Sequence, residues 1–423
     1  MHKERGFFME ALKREEAGRQ IEENLAERVS RRLWPLDANT LRKRAQRRTQ
    51  LEDFGDPPLD PALMMLTESL DLEANLHPLG RFLMHGHLLG ILETRLHLAE
   101  TWRKHEAELN ASPIRRPVFI TGMPRSGSTF LHELLSQDPD NRSPKTWEVM
   151  FPLPAPEAGP RNRSQDRRAF RANARLWWFR RFAPRADEVH PIRAHTPHEC
   201  VAIHSFTLLS EEFVTTCHVP TYEEFLRSVG LGPAYTWEKR FLQHLQSHYP
   251  TKRWVLKSPD HVYALGELFS VFPDAVVIQT HRNPLAVLES SLQLTEVLRG
   301  LFGRPDRSVQ LREREARLLA ENMERAIRFR DRHPELADRF IDVNYSELVT
   351  EPLAVVCRIY QHLGCPLPQP VFERMRQLVG ARSRYRRRRH PTLADLGLDA
   401  TKEIQRFQSY SLRFGIPCRP EAA

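Results

Sequence analysis

The sequence predicts an α/β fold, a parallel sheet flanked by helices and preceded by a helical region. Three observations point to it. A short apolar strand, Val118 to Ile120, runs into a turn of small residues and then an amphipathic helix with Phe130, Leu131, Leu134 and Leu135 on one side. Two later apolar runs, 253–256 (RWVL) and 275–280 (AVVIQT), each lead into a helical pattern, and a fourth run covers 340–343. Strands that alternate with helices are joined by crossovers, which place them parallel.

Taken in order, residues 1–50 carry dense mixed charge with periodic Leu, Phe and Trp, the pattern of solvated helices. The turn-like FGDPP at 54–58 is followed by helical patterns over 61–75 and 81–109. Together these make an N-terminal helical region, 1–112. The α/β domain is expected over 113–415, with 416–423 as a tail. Within it, 152–191 is rich in Pro, Arg and aromatic residues without a clean period and reads as an insertion or lid. Helices are expected over 196–209, 222–249, 261–272 and 308–333, and from Pro284 onward, where proline suits a first turn.

Composition narrows the function. The 423 residues carry Lys+Arg 63 against Asp+Glu 54, a net charge of +9 that favours anionic ligands without naming one. The five cysteines (200, 217, 357, 365, 418) have no CxxC spacing, so neither a zinc site nor a disulfide framework is signalled. The N-terminus returns to charged residues too soon for a signal-peptide core. The most apolar helical stretch, 82–98, is broken by His85, His87, Glu93 and Arg95, against a membrane span. A cytoplasmic location is therefore expected.

The chemistry concentrates at PVFITGMPRSGSTFLHELLSQ, 117–137. A helix starting at 126–129 leaves its first N–H groups unpaired and points the positive end of its dipole out of the turn. Gly122 and Gly127 let the backbone wrap a phosphate, while Arg125, Ser126, Ser128 and Thr129 add donors. The spacing is P-loop-like, but Ser128 stands where the Walker A lysine belongs. That lysine serves the β- and γ-phosphates of a nucleoside triphosphate, so an ordinary kinase or NTPase is disfavoured.

PRSGST opening a helix after a strand instead resembles the 5′-phosphosulfate loop of sulfotransferases that use 3′-phosphoadenosine-5′-phosphosulfate (PAPS). A second stretch, HRNPLAVLESSL at 281–292, resembles the same family, in which a strand-end Arg and a Ser eight residues on hold the 3′-phosphate of the nucleotide. Arg282 and Ser290 keep that spacing, and an Arg fork with a nearby hydroxyl suits a phosphate. The resemblance covers 113–415 and is to the bacterial-type branch, related to the tyrosylprotein and heparan sulfotransferases.

Further roles follow from the resemblance. It implies that Tyr345 touches the nucleotide and that Lys257, in the Lys257-Ser258-Pro259 turn, stabilises charge on the transferring sulfuryl group. It implies a carboxylate base shortly after the first helix, and Glu148 lies 23 positions after Arg125. His198 and Glu199 are the main competitors for the base, with His132 and Glu133 weaker ones. The implied reaction is in-line sulfuryl transfer to a hydroxyl or amine of a small-molecule, lipid or carbohydrate acceptor, with no metal. His195, His198 and His204 do not have the spacing of three ligands on one helical face. The basic run 382–389 resembles a loop that closes over the 3′-phosphate. Two alternatives remain: a nucleotide kinase or NTPase with a degenerate Walker loop, and a nucleic-acid or acidic-polymer binding protein using that run, of which nucleic acid is the less favoured partner.

Overall fold

The computed structural model describes residues 25–154, 166–182, 184, 187, 191–247, 249, 251–382 and 391–420. Among the described residues five parallel strands form one sheet: β1 (Val118–Gly122), β2 (Asn141–Arg142), β3 (Arg253–Lys257), β4 (Val276–His281) and β5 (Phe340–Asn344), in the order β2-β3-β1-β4-β5. Four of them are the expected ones. The fifth, β2, is two residues long, too short for any periodicity to announce it.

Successive strand side chains point to opposite faces, and both faces are covered. Phe119, Leu256, Val277 and Phe340 join one apolar cluster, whereas Val118, Ile120, Val255, Val276, Ile278, Ile341 and Val343 join another. Register decides what meets at the C-terminal edge. Ile120 lies opposite Lys257, Gly122 opposite Thr280, and His281 opposite Asn344. The loops after β1, β3, β4 and β5 are thereby brought side by side, where open parallel sheets bind ligands.

The helices used below are, in order, α1 (Ala38–Thr49), α2 (Asp60–Leu72), α3 (Pro78–Lys104), α4 (Ser128–Leu135), α5 (Thr146–Met150), α6 (Arg167–Phe182), α7 (Pro220–Val229), α8 (Gly232–Ser247), α9 (Pro284–Arg299) and α10 (Val309–Arg332). Asp37 caps α1, accepting the Thr40 N–H at 2.7 Å, and the His77 ring accepts the Gly80 N–H at 2.8 Å at the start of α3. Side chains of α1, α2 and α3 share the apolar cluster that holds Phe119 of β1. Arg95 of α3 is wholly buried and donates to the carbonyls of Phe54, Gly55, Pro57 and Phe206, which ties the N-terminal helices to the body.

Three expected elements differ. The helix expected over 222–249 is two, α7 and α8, because Gly230 at φ +75° ends the first. The stretch expected as a helix over 196–209 is helical only at Val201–His204 and Ser205–Thr207. Its first residues instead bond along the site, the His198 N–H to the Pro144 carbonyl (2.8 Å) and the Cys200 N–H to the Lys257 carbonyl (3.0 Å). The helix expected over 261–272 begins as a tighter turn, Pro259–Tyr263, before Leu265–Val271. Of the insertion, α6 is described. The first 24 residues, most of the basic run 382–389 and the last three residues lie outside the described residues. Among the described residues, no helix is long and apolar enough to cross a membrane.

Candidate active site

The loop from β1 to α4 is shaped by glycine and by Thr280. Gly122 sits at φ +134°, and a Cβ there would lie 2.3 Å from the Thr280 carbonyl oxygen, so no side chain fits. Gly127, at φ +91°, precedes α4; a Cβ would meet Leu348 at 3.0 Å and Tyr345 at 3.1 Å. Among the described residues no side chain caps α4, leaving its first N–H groups facing the loop. Ser126 is wholly buried, with its hydroxyl donating to the Met123 carbonyl (2.5 Å) or sharing a bond with Thr280 Oγ1 (2.6 Å). That hydroxyl is spent on the loop's own shape, and what Ser126 can offer a ligand is its backbone. Ser128 is buried and Thr129 exposed in the first turn.

Arg125, Ser290, Arg282 and Tyr345 come together beside this loop. Arg125 Nε donates to Ser290 Oγ at 3.0 Å, Arg282 donates to the Arg125 carbonyl at 2.8 Å, and the Arg282 guanidinium lies 4.3 Å from the Tyr345 ring centroid. Their local placement follows from the sequence. Asn283 caps α9 by accepting the Leu285 N–H at 3.1 Å, Pro284 opens it, and Ser290 falls two turns along, facing back to the strand end. Behind Arg282, His281 contacts Asp342 at 2.8 Å, and Arg330 grips the same carboxylate at 2.7 and 2.8 Å. Burial opposes ionisation of Asp342, but the hydrogen bonds from Arg330 and His281 outweigh it and hold the carboxyl well below its usual range.

The end of β3 supplies a second set of charges. Lys257 is buried and ion-paired with Glu199, and the Ser258 N–H donates to the Ile120 carbonyl at 3.2 Å. Behind this turn His204 lies 2.9 Å from Glu238 and 3.7 Å from Asp260, while Asp260 accepts the Ser258 hydroxyl. Burial works against the charge on His204, but the adjacent carboxylates of Asp260 and Glu238 raise it to about 9; Asp260, likewise opposed by burial, is lowered by His204 to about 2. Next to them His261, bonded to the Tyr235 hydroxyl at 2.8 Å, is pushed down to about 4 by burial. The turn carrying Lys257 thus rests on a buried imidazolium held between two carboxylates.

Residues 117–369 match the model of the sulfotransferase family. The chain belongs to that family. It is 26% identical over 285 residues to omega-hydroxy-beta-dihydromenaquinone-9 sulfotransferase Stf3 of Mycobacterium tuberculosis (strain CDC 1551 / Oshkosh), a match covering 64% of this chain and 68% of the relative. Its structure is similar to sulfotransferase STF1 of Mycobacterium tuberculosis H37Rv, with TM-score 0.78 and 28% identity over 88% of this chain and 98% of the other. It is also similar to sulfotransferase STF9 of Mycobacterium avium, with TM-score 0.79 and 25% identity over 90% and 97%.

In this sulfotransferase Glu148 occupies a place that its spacing did not foretell. It is wholly buried in the first turn of α5, accepting from Arg142 at 2.9 Å and from the Lys145 N–H at 2.8 Å. Arg142 in turn donates to the carbonyls of Leu245 and Tyr249, both at 2.8 Å, and lies 4.7 Å from the Trp254 ring centroid. One carboxylate oxygen thus bonds β2 and the other the backbone at the start of α5. The weaker candidate His132 is also walled in: its Nε2 lies 3.0 Å from the Ser143 hydroxyl and 3.1 Å from the Val255 carbonyl, and burial pushes it down to about 3. Half-buried His198 and Glu199 lie beside the end of β3, His198 Nδ1 at 3.3 Å from Thr146 Oγ1 and Glu199 on Lys257.

Sequence reasoning missed Thr280, Asp342 and the His204–Asp260–Glu238 group. Thr280 bonds Ser126 154 positions away, His204 reaches Glu238 34 positions away, and Asp342 meets Arg330 12 positions away and His281 61 positions away, separations that no short motif spans. The strand-end position of Thr280, directly before His281-Arg282, was the one available signal.

Proposed function

We propose that this sulfotransferase transfers a sulfuryl group from PAPS to the hydroxyl of a lipid acceptor. The observation that carries the donor assignment is the joining of Arg125, Ser290, Arg282 and Tyr345 beside the glycine-lined start of α4. The cradle suits a nucleotide bearing two anionic groups. The backbone at Arg125, Ser126, Gly127, Ser128 and Thr129 would take the 5′-phosphosulfate, and Arg282 with Ser290 the 3′-phosphate, with Tyr345 packed beside them. The absent Walker lysine weighs against a triphosphate. The acceptor class is drawn from the mycobacterial relative, whose name specifies an omega-hydroxylated dihydromenaquinone.

PAPS supplies an activated sulfuryl group whose sulfur accepts the acceptor oxygen as the bond to the phosphate oxygen breaks. Glu199 serves as the base that takes the hydroxyl proton, since Glu148 is committed to Arg142. Its ion pair with Lys257 holds the carboxylate at the end of β3. An incoming sulfonate competes for Lys257, which turns to the anion and releases Glu199 toward the acceptor. Lys257, Arg125 and the α4 N–H groups then hold the negative charge that builds on the sulfonate and the leaving phosphate oxygen.

The test is calorimetric titration with adenosine 3′,5′-bisphosphate, adenosine 5′-monophosphate and ATP with magnesium, on wild type and Arg282→Ala. The bisphosphate is expected to bind best, and loss of a charged hydrogen-bonding group lowers its affinity roughly ten- to hundredfold while leaving the monophosphate nearly unchanged. Best binding by ATP with magnesium overturns the donor assignment. Radiolabelled sulfate from PAPS is then offered to an omega-hydroxy isoprenoid quinol, a simple phenol and a hexose. Transfer to the hexose alone overturns the acceptor assignment.

A further inference from the structure

Helix α6 has a composition that the sulfuryl-transfer site does not explain. Its sequence, RRAFRANARLWWFRRF, contains six arginines and no acidic residue. One side is buried: Ala169, Ala172 and Leu176 pack with Trp147 and Ala194 in a small apolar cluster separate from the two that cover the sheet. The other side carries large aromatic rings in solvent. Phe170 is 76% exposed, Trp177 53% and Trp178 56%. Phe170 and Trp177 are seven residues apart, two helical turns, and so lie one above the other on the same side. The two indoles meet edge to face with centroids 4.8 Å apart.

The other tryptophans behave differently. Trp102, Trp147, Trp237 and Trp254 are buried and Trp34 is half-buried. Two adjacent, mostly exposed indoles among arginines are costly in water unless a partner takes them up. Arg168 is bound internally, to Asp166 and to the carbonyls of Phe151 and Pro152, whereas Arg167, Arg171, Arg175 and Arg181 are exposed.

We propose that α6 docks this protein on an anionic lipid bilayer, lying in the interface with Phe170, Trp177 and Trp178 turned into the headgroup boundary. Indole rings favour that depth because one edge is apolar and the other polar, and arginines are drawn to the negative surface. The charge is complementary: every ionisable side chain of α6 is cationic, and the phosphates of acidic lipids are the matching partner. The helix also sits in a useful place. It rests on α5, whose Thr146 bonds the Thr196 carbonyl and His198, so the docking face adjoins the segment that carries Glu199. Docking stands on α6 alone; what it adds to the lipid-acceptor reading, and rests on that reading for, is delivery of the acceptor directly from the bilayer.

The experiment is vesicle co-sedimentation of the full chain with phosphatidylcholine vesicles and with vesicles in which a third of the lipid is phosphatidylglycerol, neither containing an acceptor. Tryptophan fluorescence is recorded in parallel, and single-stranded oligonucleotide is the competing ligand. Wild type is expected to bind the anionic vesicles with a blue shift, to bind the neutral ones far less, and to be released by salt. Trp177→Ser/Trp178→Ser and Arg175→Glu/Arg181→Glu each weaken binding by about tenfold or more. Both variants keep wild-type affinity for adenosine 3′,5′-bisphosphate, which shows that they fold. Equal binding by wild type and both variants, no binding at all, or preferential capture of the oligonucleotide through these residues overturns the proposal. Vesicle binding without transfer to a hydroxylated isoprenoid quinol keeps the docking and removes the lipid acceptor, so the two readings fail separately.

Discussion

Replacing Glu148 with Gln separates a structural carboxylate from a catalytic one. Glu148 is wholly buried and its partner Arg142 nearly so. Removing one member of a buried pair leaves the other charge uncompensated, which costs about 3–5 kcal/mol. The glutamine carbonyl can still accept the Lys145 N–H, and Arg142 keeps two carbonyl partners at 2.8 Å and the face of Trp254, so the lower end, about 3 kcal/mol, is expected. With a urea dependence of about 3 kcal/mol per molar, the unfolding midpoint falls by roughly 1 M. The folded fraction should retain bisphosphate affinity. Glu199→Gln is a milder case: its carboxylate is partly exposed, although its partner Lys257 is buried. Its glutamine carbonyl can still accept from the Lys257 ammonium, so a loss of about 1–3 kcal/mol in stability is expected. Its kcat for transfer from radiolabelled PAPS falls by about 10²–10⁴, the range for a lost general base. A Glu148→Gln protein as stable as wild type but more than a hundredfold slower, beside an active Glu199→Gln protein, refutes the reasoning and returns the base to Glu148.

Gly127→Ala imposes a side chain at φ +91° and drives its methyl toward Tyr345 and Leu348, so backbone strain of about 1–2 kcal/mol is joined by displacement of the Tyr345 ring. Bisphosphate affinity measured by calorimetry is expected to fall by about tenfold, because that ring backs Arg282. The His204 group gives a pH signature. Its folded value, about 9, lies above the ordinary 6.5, so its stabilisation is complete below pH 6.5 and is lost as pH rises through 9. Asp260 runs the other way: its folded value of about 2 lies below the ordinary 3.8, so its contribution is present above pH 3.8 and lost as pH falls through 2. Melting temperatures recorded from pH 6 to pH 10 on wild type and His204→Gln should show a decline in wild type that is shallower in the variant; parallel curves contradict the charged pair. Asp342→Asn frees Arg330 and His281 behind Arg282, and is expected to weaken bisphosphate binding several-fold while leaving monophosphate binding unchanged, as a paired titration will show.

Local sequence carries the strand-turn-helix at 117–137, four of the five strands and the eight-residue spacing of Arg282 and Ser290. These are local properties: alternation and helical period are visible within a dozen residues, glycine marks a backbone that must leave the ordinary region, and eight positions along a helix is a fixed geometry. The break between α7 and α8 was also written locally, in Gly230, but the strong apolar series on either side masked it. What joined Arg125 to Ser290 across 165 positions, or Lys257 to Glu199 across 58, was the strand register, which no window of sequence contains. The same is true of Glu148. Its spacing from Arg125 suited a base, and only the packing of α5 on β2 set its carboxylate against Arg142. A carboxylate reads the same in sequence whether it faces a buried guanidinium or a substrate; burial and the nearest opposite charge decide which, and both are set by the tertiary fold.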